Sequence, residues 1–116
     1  MNGICHVEIP CSSTEKAKKF FNGVFGWEMS DMPGMEGYTL FKPQSGPGGG
    51  FSTQMKVAQG GILFHVEVED IEAMLKKVES AGGKTVKGKT QITPEIGHFA
   101  IFTDPDGNQI GLFAQK

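Results

Sequence analysis

Apolar and polar positions alternate in two short stretches of the chain, His6-Val7-Glu8-Ile9 and His65-Val66-Glu67-Val68, and alternation with a period of two predicts strands. A different period follows each stretch. Ala17, Phe20, Phe21, Val24 and Phe25 recur at helical spacing, with Lys16, Lys18 and Lys19 mostly off that face. Ser12-Ser13-Thr14-Glu15 reads as a capping box with Ser12 at the N-cap, and Gly26 ends the helix. In the second half Asp70 is the expected N-cap. Ile71, Met74, Leu75, Val78 and Ala81 form the apolar stripe, and Gly82-Gly83 stops it.

After each helix come strand-like segments divided by Gly and Pro. They are expected at about Trp27–Ser30, Glu36–Lys42 and Gly50–Gln54, then at Thr85–Lys87, His98–Thr103 and Asn108–Ala114. The order strand, helix, three strands therefore occurs twice. Self-similarity of this kind predicts a duplicated unit, with module one at about 1–57 and module two at about 60–116 of one domain. The boundary falls in Lys56–Gly61, which is rich in small and polar residues. The glycine-rich Ser45–Gly50 stretch lacks the GxxxxGK[ST] spacing and opens no helix, so it reads as a hairpin connection rather than a phosphate loop.

Alternation also assigns faces. Cys5, Val7 and Ile9 share one side of the first strand, and His6 and Glu8 the other. In the second copy Ile62, Phe64, Val66 and Val68 are apolar, while His65 and Glu67 point the opposite way. The duplicated His-x-Glu is either the polar side of a solvated sheet or the lining of a polar cup.

A chain of 116 residues suffices for one domain and buries roughly two thirds of its unfolded surface without a covalent staple. A net charge of −2 points to neither nucleic acid nor an anionic membrane. All eleven basic residues are Lys, so no guanidinium fork is available for bidentate recognition of an anion. Cys5 is expected in the core and Cys11, after Pro10, in a loop as an exposed thiol; two such cysteines do not make a disulfide framework. No apolar run is long enough to span a bilayer and no signal-peptide pattern opens the chain, so a cytoplasmic protein is expected.

Three stretches carry a resemblance over essentially the whole chain. They are Cys5-His6-Val7-Glu8-Ile9-Pro10, then Lys18-Lys19-Phe20-Phe21-Asn22-Gly23-Val24-Phe25-Gly26-Trp27, then Gly97-His98-Phe99-Ala100-Ile101-Phe102-Thr103-Asp104-Pro105-Asp106-Gly107-Asn108. Together they resemble the paired βαβββ modules of the vicinal oxygen chelate superfamily, which groups glyoxalases, bleomycin-resistance proteins and dioxygenases. The likeness is strongest to small bacterial enzymes related to lactoylglutathione lyase. The resemblance implies an α+β fold whose two modules form a curved mixed sheet, with a cup inside and helices outside. The turn Asp104–Asn108 suits a structural role, because Pro105 and Gly107 fit a tight turn and its polar side chains can bond local backbone.

Glyoxalases of this superfamily hold a divalent metal through four side chains. His6 stands at the first of these positions, no ligand stands at the second around Gly49–Phe51, Leu63 stands at the third and Gly111 at the fourth. Open zinc sites use three protein ligands, so the resemblance implies that the usual centre is missing and no cofactor is expected. A displaced site drawn from His6, Glu8, His65 and Glu67 is the alternative. His98 is expected at an edge or surface.

Two ligand-binding functions compete, beside a third reading as a stress or regulatory partner with no ligand. In one, an enzyme performs lyase- or isomerase-like acid–base chemistry on a small carbonyl compound, with His6, Glu8, His65 and Glu67 as catalytic candidates. In the other, a non-catalytic protein of the bleomycin-resistance type sequesters a small molecule in an aromatic cleft. Trp27, Tyr38, Phe41, Phe51, Phe102 and Phe113 are the candidate wall in either case. A small-molecule ligand and a homodimer are the expected partners.

Overall fold

A computed structural model describes residues 1–58 and 60–116. The chain divides into two compact units, Met1–Val57 and Ala58–Lys116; Gln59, in the stretch expected to part the two modules, lies outside the described residues.

The first unit runs β1 (Val7–Pro10), α1 (Thr14–Phe25), β2 (Glu28–Asp31), β3 (Tyr38–Lys42) and β4 (Gly49–Ser52). Its sheet has the order β1-β4-β3-β2, with β1 parallel to β4 and the other neighbours antiparallel. The second unit runs β5 (His65–Glu67), α2 (Ile71–Ser80), β6 (Lys84–Thr93), β7 (Gly97–Thr103) and β8 (Gln109–Ala114). Its order is β5-β8-β7-β6, with the same single parallel pair. Each unit is thus a βαβββ module, and the chain is α+β as expected. No helix among the described residues is long and apolar enough to cross a membrane.

Both helices form where the stripes predict them. The first starts one residue later than expected: Ser13, not Ser12, is the N-cap, and its Oγ accepts from the Lys16 N–H at 3.3 Å. That choice moves Glu15 off the capping-box position, and it pairs instead with Lys18 Nζ at 2.8 Å. Lys18 also reaches Asp31 at 3.1 Å and so ties α1 to β2. Gly26 closes the helix with a left-handed φ of 72°, which an L side chain adopts only with strain. Asp70 caps α2 by accepting from the Ala73 N–H at 3.0 Å. Ala81, expected on the apolar stripe, is the exposed C-cap.

The buried rows of the first sheet follow the register. Ile9, Phe51 and Thr39 are mutually opposed, and Gly49, Phe41 and Met29 form the next row. Phe21 of α1 packs on Phe51 with ring centroids 4.8 Å apart, and Trp27 stacks on Phe41 at 4.7 Å. In the second unit Ala100, Leu112, Phe102 and Ile110 are fully buried in opposed pairs, together with Ile71 and Val78 of α2.

The cysteines reverse the expectation. Cys5 is exposed, because β1 begins only at Val7 and the alternation does not extend back to it. Cys11 is buried, because its N–H bonds Ser52 O at 3.0 Å and keeps the chain against β4 beyond Pro10. The second apolar row is also weaker than its sequence suggests: Ile62 is almost fully exposed, ahead of β5. The longest strand, β6, extends well past the predicted Thr85–Lys87.

Candidate functional site

In the first unit the side of the sheet away from α1 carries Glu8, Tyr38, Ser30 and Ser52, with Leu40 and Pro10 among them. Glu8 lies opposite Gly50, and Gly50 opposite Leu40; Tyr38 lies opposite Ser52, two places along on the same face. His6 precedes β1 by one residue and shares the side of Glu8. Three of these side chains meet. Tyr38 donates its hydroxyl proton to Glu8 Oε2 at 3.0 Å, and its oxygen lies 2.7 Å from His6 Nε2. With the phenolic proton given to Glu8, the oxygen accepts from His6, which places an imidazole proton on Nε2. The result is a continuous chain of hydrogen bonds, His6 to Tyr38 to Glu8. The His6 and Glu8 side chains are 43% and 46% exposed, so a dissolved molecule can reach both ends.

Tyr38 is half-buried. Burial is the first cause that raises its pKa above the ordinary value of 10, and the hydrogen bond and negative charge of Glu8 add to it. At neutral pH the phenol therefore keeps its proton and can donate it.

The corresponding face of the second unit carries His65, Gly111 and Ile101 in one row and Glu67, Phe113 and Phe99 in the next. Phe99, Ile101 and Phe113 are half-buried, and His65 and Glu67 are exposed. Neither the His65 nor the Glu67 side chain makes a hydrogen bond or ion pair among the described residues. The two His-x-Glu copies thus differ: the first is joined through Tyr38, the second stands beside an apolar surface.

The other aromatic candidates are placed in the cores. Trp27, Phe41, Phe51 and Phe102 are at most 5% exposed and lie on the helix side of their sheets. Only Tyr38 and Phe113 of that set lie on the sheet faces that carry the His-x-Glu pairs. Phe99 and Ile101 were not singled out from the sequence. Their signal is that Phe99-Ala100-Ile101-Phe102 is apolar at every position, as expected of a strand buried to some degree on both sides. His98 is half-buried, and its Nδ1 is buried with no hydrogen-bond partner among the described residues.

The turn Asp104–Asn108 is tied to itself. Asp104 Oδ1 accepts from the Asp106 and Asn108 N–H groups at 3.0 and 2.9 Å, and Oδ2 accepts from Asn108 Nδ2 at 2.7 Å. Burial raises the Asp104 pKa despite these bonds. Every one of these contacts is local.

Over residues 3–112 the chain matches the model of the Glyoxalase/Bleomycin resistance protein/Dioxygenase superfamily. The chain belongs to this superfamily. A glyoxylase-like domain-containing protein of Didymella fabae is 28% identical to it over 112 residues, spanning 90% of this chain and 88% of the relative. At 25% identity, the chain spans 43% of the length of two mycobacterial relatives that carry a glyoxylase designation. Among solved structures, a glyoxalase/bleomycin resistance protein/dioxygenase family enzyme from Burkholderia phytofirmans superposes with a TM-score of 0.80 at 14% identity, covering 96% of this chain and 97% of that one. The fosfomycin resistance protein FosX from Listeria monocytogenes gives 0.77 at 13% identity, covering 100% and 95%. These likenesses show a shared fold.

The metal centre that the superfamily implies does not fit the residues present. Leu63 offers hydrocarbon, and Gly50 and Gly111 offer no side chain. The space that a side chain would take is filled by the Tyr38 ring at Gly50 and by the His65 ring at Gly111. His6 is engaged with Tyr38. No group of three or more His, Cys, Asp or Glu among the described residues is arranged to hold an ion.

Proposed function

We propose that this chain binds a small polar molecule at His6, Tyr38 and Glu8 and moves a proton on it, without the four-ligand metal centre of the glyoxalases. The hydrogen-bonded chain of these three residues is the observation that carries the reading. A ligand oxygen next to Tyr38 would take the phenolic hydrogen bond now given to Glu8, which frees the Glu8 carboxylate to accept a proton from an adjacent carbon or hydroxyl. As the ligand oxygen takes the Tyr38 proton, His6 would give its Nε2 proton to the phenolate while its exposed ring gains one from water at Nδ1, and the proton on Glu8 would pass to the product or to water. A small aldehyde or 2-oxo acid suits this set, and the chemistry is of the lyase or isomerase kind. His65, Glu67 and Phe113 are proposed as a further contact surface on the second unit.

The reading is tested by a thermal-shift screen of small aldehydes and 2-oxo acids, followed by titration of His6→Gln. A true ligand at a hundredfold excess over its Kd adds about 2.7 kcal/mol to stability. The expected result is that His6→Gln weakens binding about tenfold, the worth of one hydrogen bond near the upper end of the usual range. Equal binding by parent and variant contradicts it.

A second reading has its own observation. Phe99, Ile101 and Phe113 give the second unit a half-buried apolar face, which suits a protein that holds a hydrophobic molecule without altering it. Ligands that bind but emerge unchanged on prolonged incubation favour it. We also propose a homodimer, since β1 and β2 are the outer strands of the first sheet and β5 and β6 those of the second. Sedimentation at micromolar concentration checks this, and a 12.5 kDa species contradicts it.

A further inference from the structure

Each unit has a glycine whose missing side chain is replaced chiefly by a ring from another strand. In the first unit a Cβ at Gly50 would fall on Cζ, Cε1 and the hydroxyl of Tyr38. In the second a Cβ at Gly111 would fall on the imidazole of His65, within 3.0 Å of Nε2 and Cγ. Both glycines sit on interior strands, β4 and β8, and both are buried. Neither has a positive φ, so backbone conformation gives no reason for glycine at these places.

Two other glycines show what a backbone requirement looks like. A Cβ at Gly49 would meet the Val7 carbonyl, and one at Gly97, where φ is 127°, would meet the Ala114 carbonyl. The nearest of those obstacles are main chain, with the Phe41 ring besides at Gly49, and the main chain cannot move without disturbing a strand pair. The obstacles at Gly50 and Gly111 are the ends of side chains, which can turn away.

We propose that Gly50 and Gly111 are positioning residues, seats on which the Tyr38 and His65 rings lie flat against the sheet. The Gly50 seat aims the Tyr38 hydroxyl between His6 Nε2 and Glu8 Oε2. A side chain at position 50 would lift the ring off β4, and the hydrogen-bonded chain would open at its middle member. The Gly111 seat holds the His65 imidazole over β8, opposite its own register partner. The functional consequence of the first seat rests on the proposed role of His6, Tyr38 and Glu8; the seat itself does not.

The test is a pair of double-mutant cycles read by urea unfolding, Gly50→Ala with Tyr38→Ala and Gly111→Ala with His65→Ala. If the glycines are seats, each Gly→Ala change destabilises the parent and has little effect once the ring is gone. Equal destabilisation in both backgrounds means that the backbone needs glycine, and overturns the proposal. A spectroscopic arm follows the ring directly. Tyr38 is the only tyrosine of the chain, so phenolate absorbance titrates it alone. Gly50→Ala should bring its midpoint down toward 10, while Gly111→Ala leaves it where it is in the parent. A Gly50→Ala protein that titrates like the parent overturns the seat. If the cycles and titration hold but His6→Gln binds ligands like the parent, the seats stand and the proposed function fails.

Discussion

The two units share an element order, a strand order and a His-x-Glu pair, yet they have put the same frame to different use. In the first, polar side chains predominate on the face away from the helix, and Tyr38 joins His6 to Glu8. In the second, Phe99, Ile101 and Phe113 occupy that face, and the His65 and Glu67 side chains have no polar partner among the described residues. The difference comes from a few positions. Glu8 is opposed by Gly50, which leaves room for a tyrosine; Glu67 is opposed by Phe113, which does not. A motif repeated in sequence therefore does not carry a repeated chemistry. The strands set where its residues point, and the residue across the register decides what they can touch.

The largest effects should come where the two units are alike. Gly49→Ala and Gly97→Ala each drive a methyl group into a main-chain carbonyl of the neighbouring strand, that of Val7 or that of Ala114. Each should lower the unfolding free energy by more than about 3 kcal/mol, or prevent folding, as urea unfolding would show. A loss under about 1 kcal/mol at either site would mean that the strand pair yields more easily than its geometry indicates.

A smaller effect separates the units. The β7–β8 connection depends on Asp104, which accepts three hydrogen bonds from within the turn; in the β3–β4 connection, residues 43–48, Gln44 Nε2 instead donates outward to the Phe25 and Gly26 carbonyls. Asp104→Ala should cost about 1–3 kcal/mol, because buried donors lose their acceptor. Ser45→Ala in the first unit should stay within about 0.5 kcal/mol. Asp104 also has a sign that can be checked. Burial raises its folded pKa above the unfolded value, so its ionisation opposes folding. Its contribution to stability is complete below the unfolded pKa and declines as pH rises through the folded value.

Much of the fold was legible because it rests on periodicity. The stripes of α1 and α2, the Asp70 cap, the Gly26 stop and the doubled strand order all follow from spacing and capping chemistry. What was not legible depends on pairing. Strand β6 continues through Lys87-Gly88-Lys89 because β7 supplies its partners across three register shifts; its own residues are polar or exposed on both sides and give no alternation to read. The cysteine environments depend on where β1 begins and ends: Cys5 lies two residues before it and Cys11 one residue after it, and alternation does not mark those bounds. In the site, alternation put His6 and Glu8 on one side, but nothing in sequence indicates that Tyr38, thirty residues beyond Glu8, would stand between them. That needs the β3–β4 hairpin register, which brings Tyr38 beside a glycine. Trp27, Phe41 and Phe51 show the converse: aromatic character alone does not tell a ligand wall from a core.

The most direct measurement of the central claim is the absorbance titration of Tyr38 in the parent protein and in Glu8→Gln. Burial and Glu8 together raise the phenol above its ordinary value, so the parent midpoint should lie above 10. The raised pKa also means that Tyr38 stabilises the fold fully below pH 10 and loses that contribution as pH rises through the folded midpoint. Glu8→Gln removes the negative charge and the carboxylate acceptor but keeps the burial. Its midpoint should fall part of the way toward 10, with stability near neutral pH changed by no more than about 0.5 kcal/mol. A parent midpoint at 10 that Glu8→Gln does not move would show that Tyr38 and Glu8 are not joined, and the account of the first unit as an assembled proton-transfer site would be wrong.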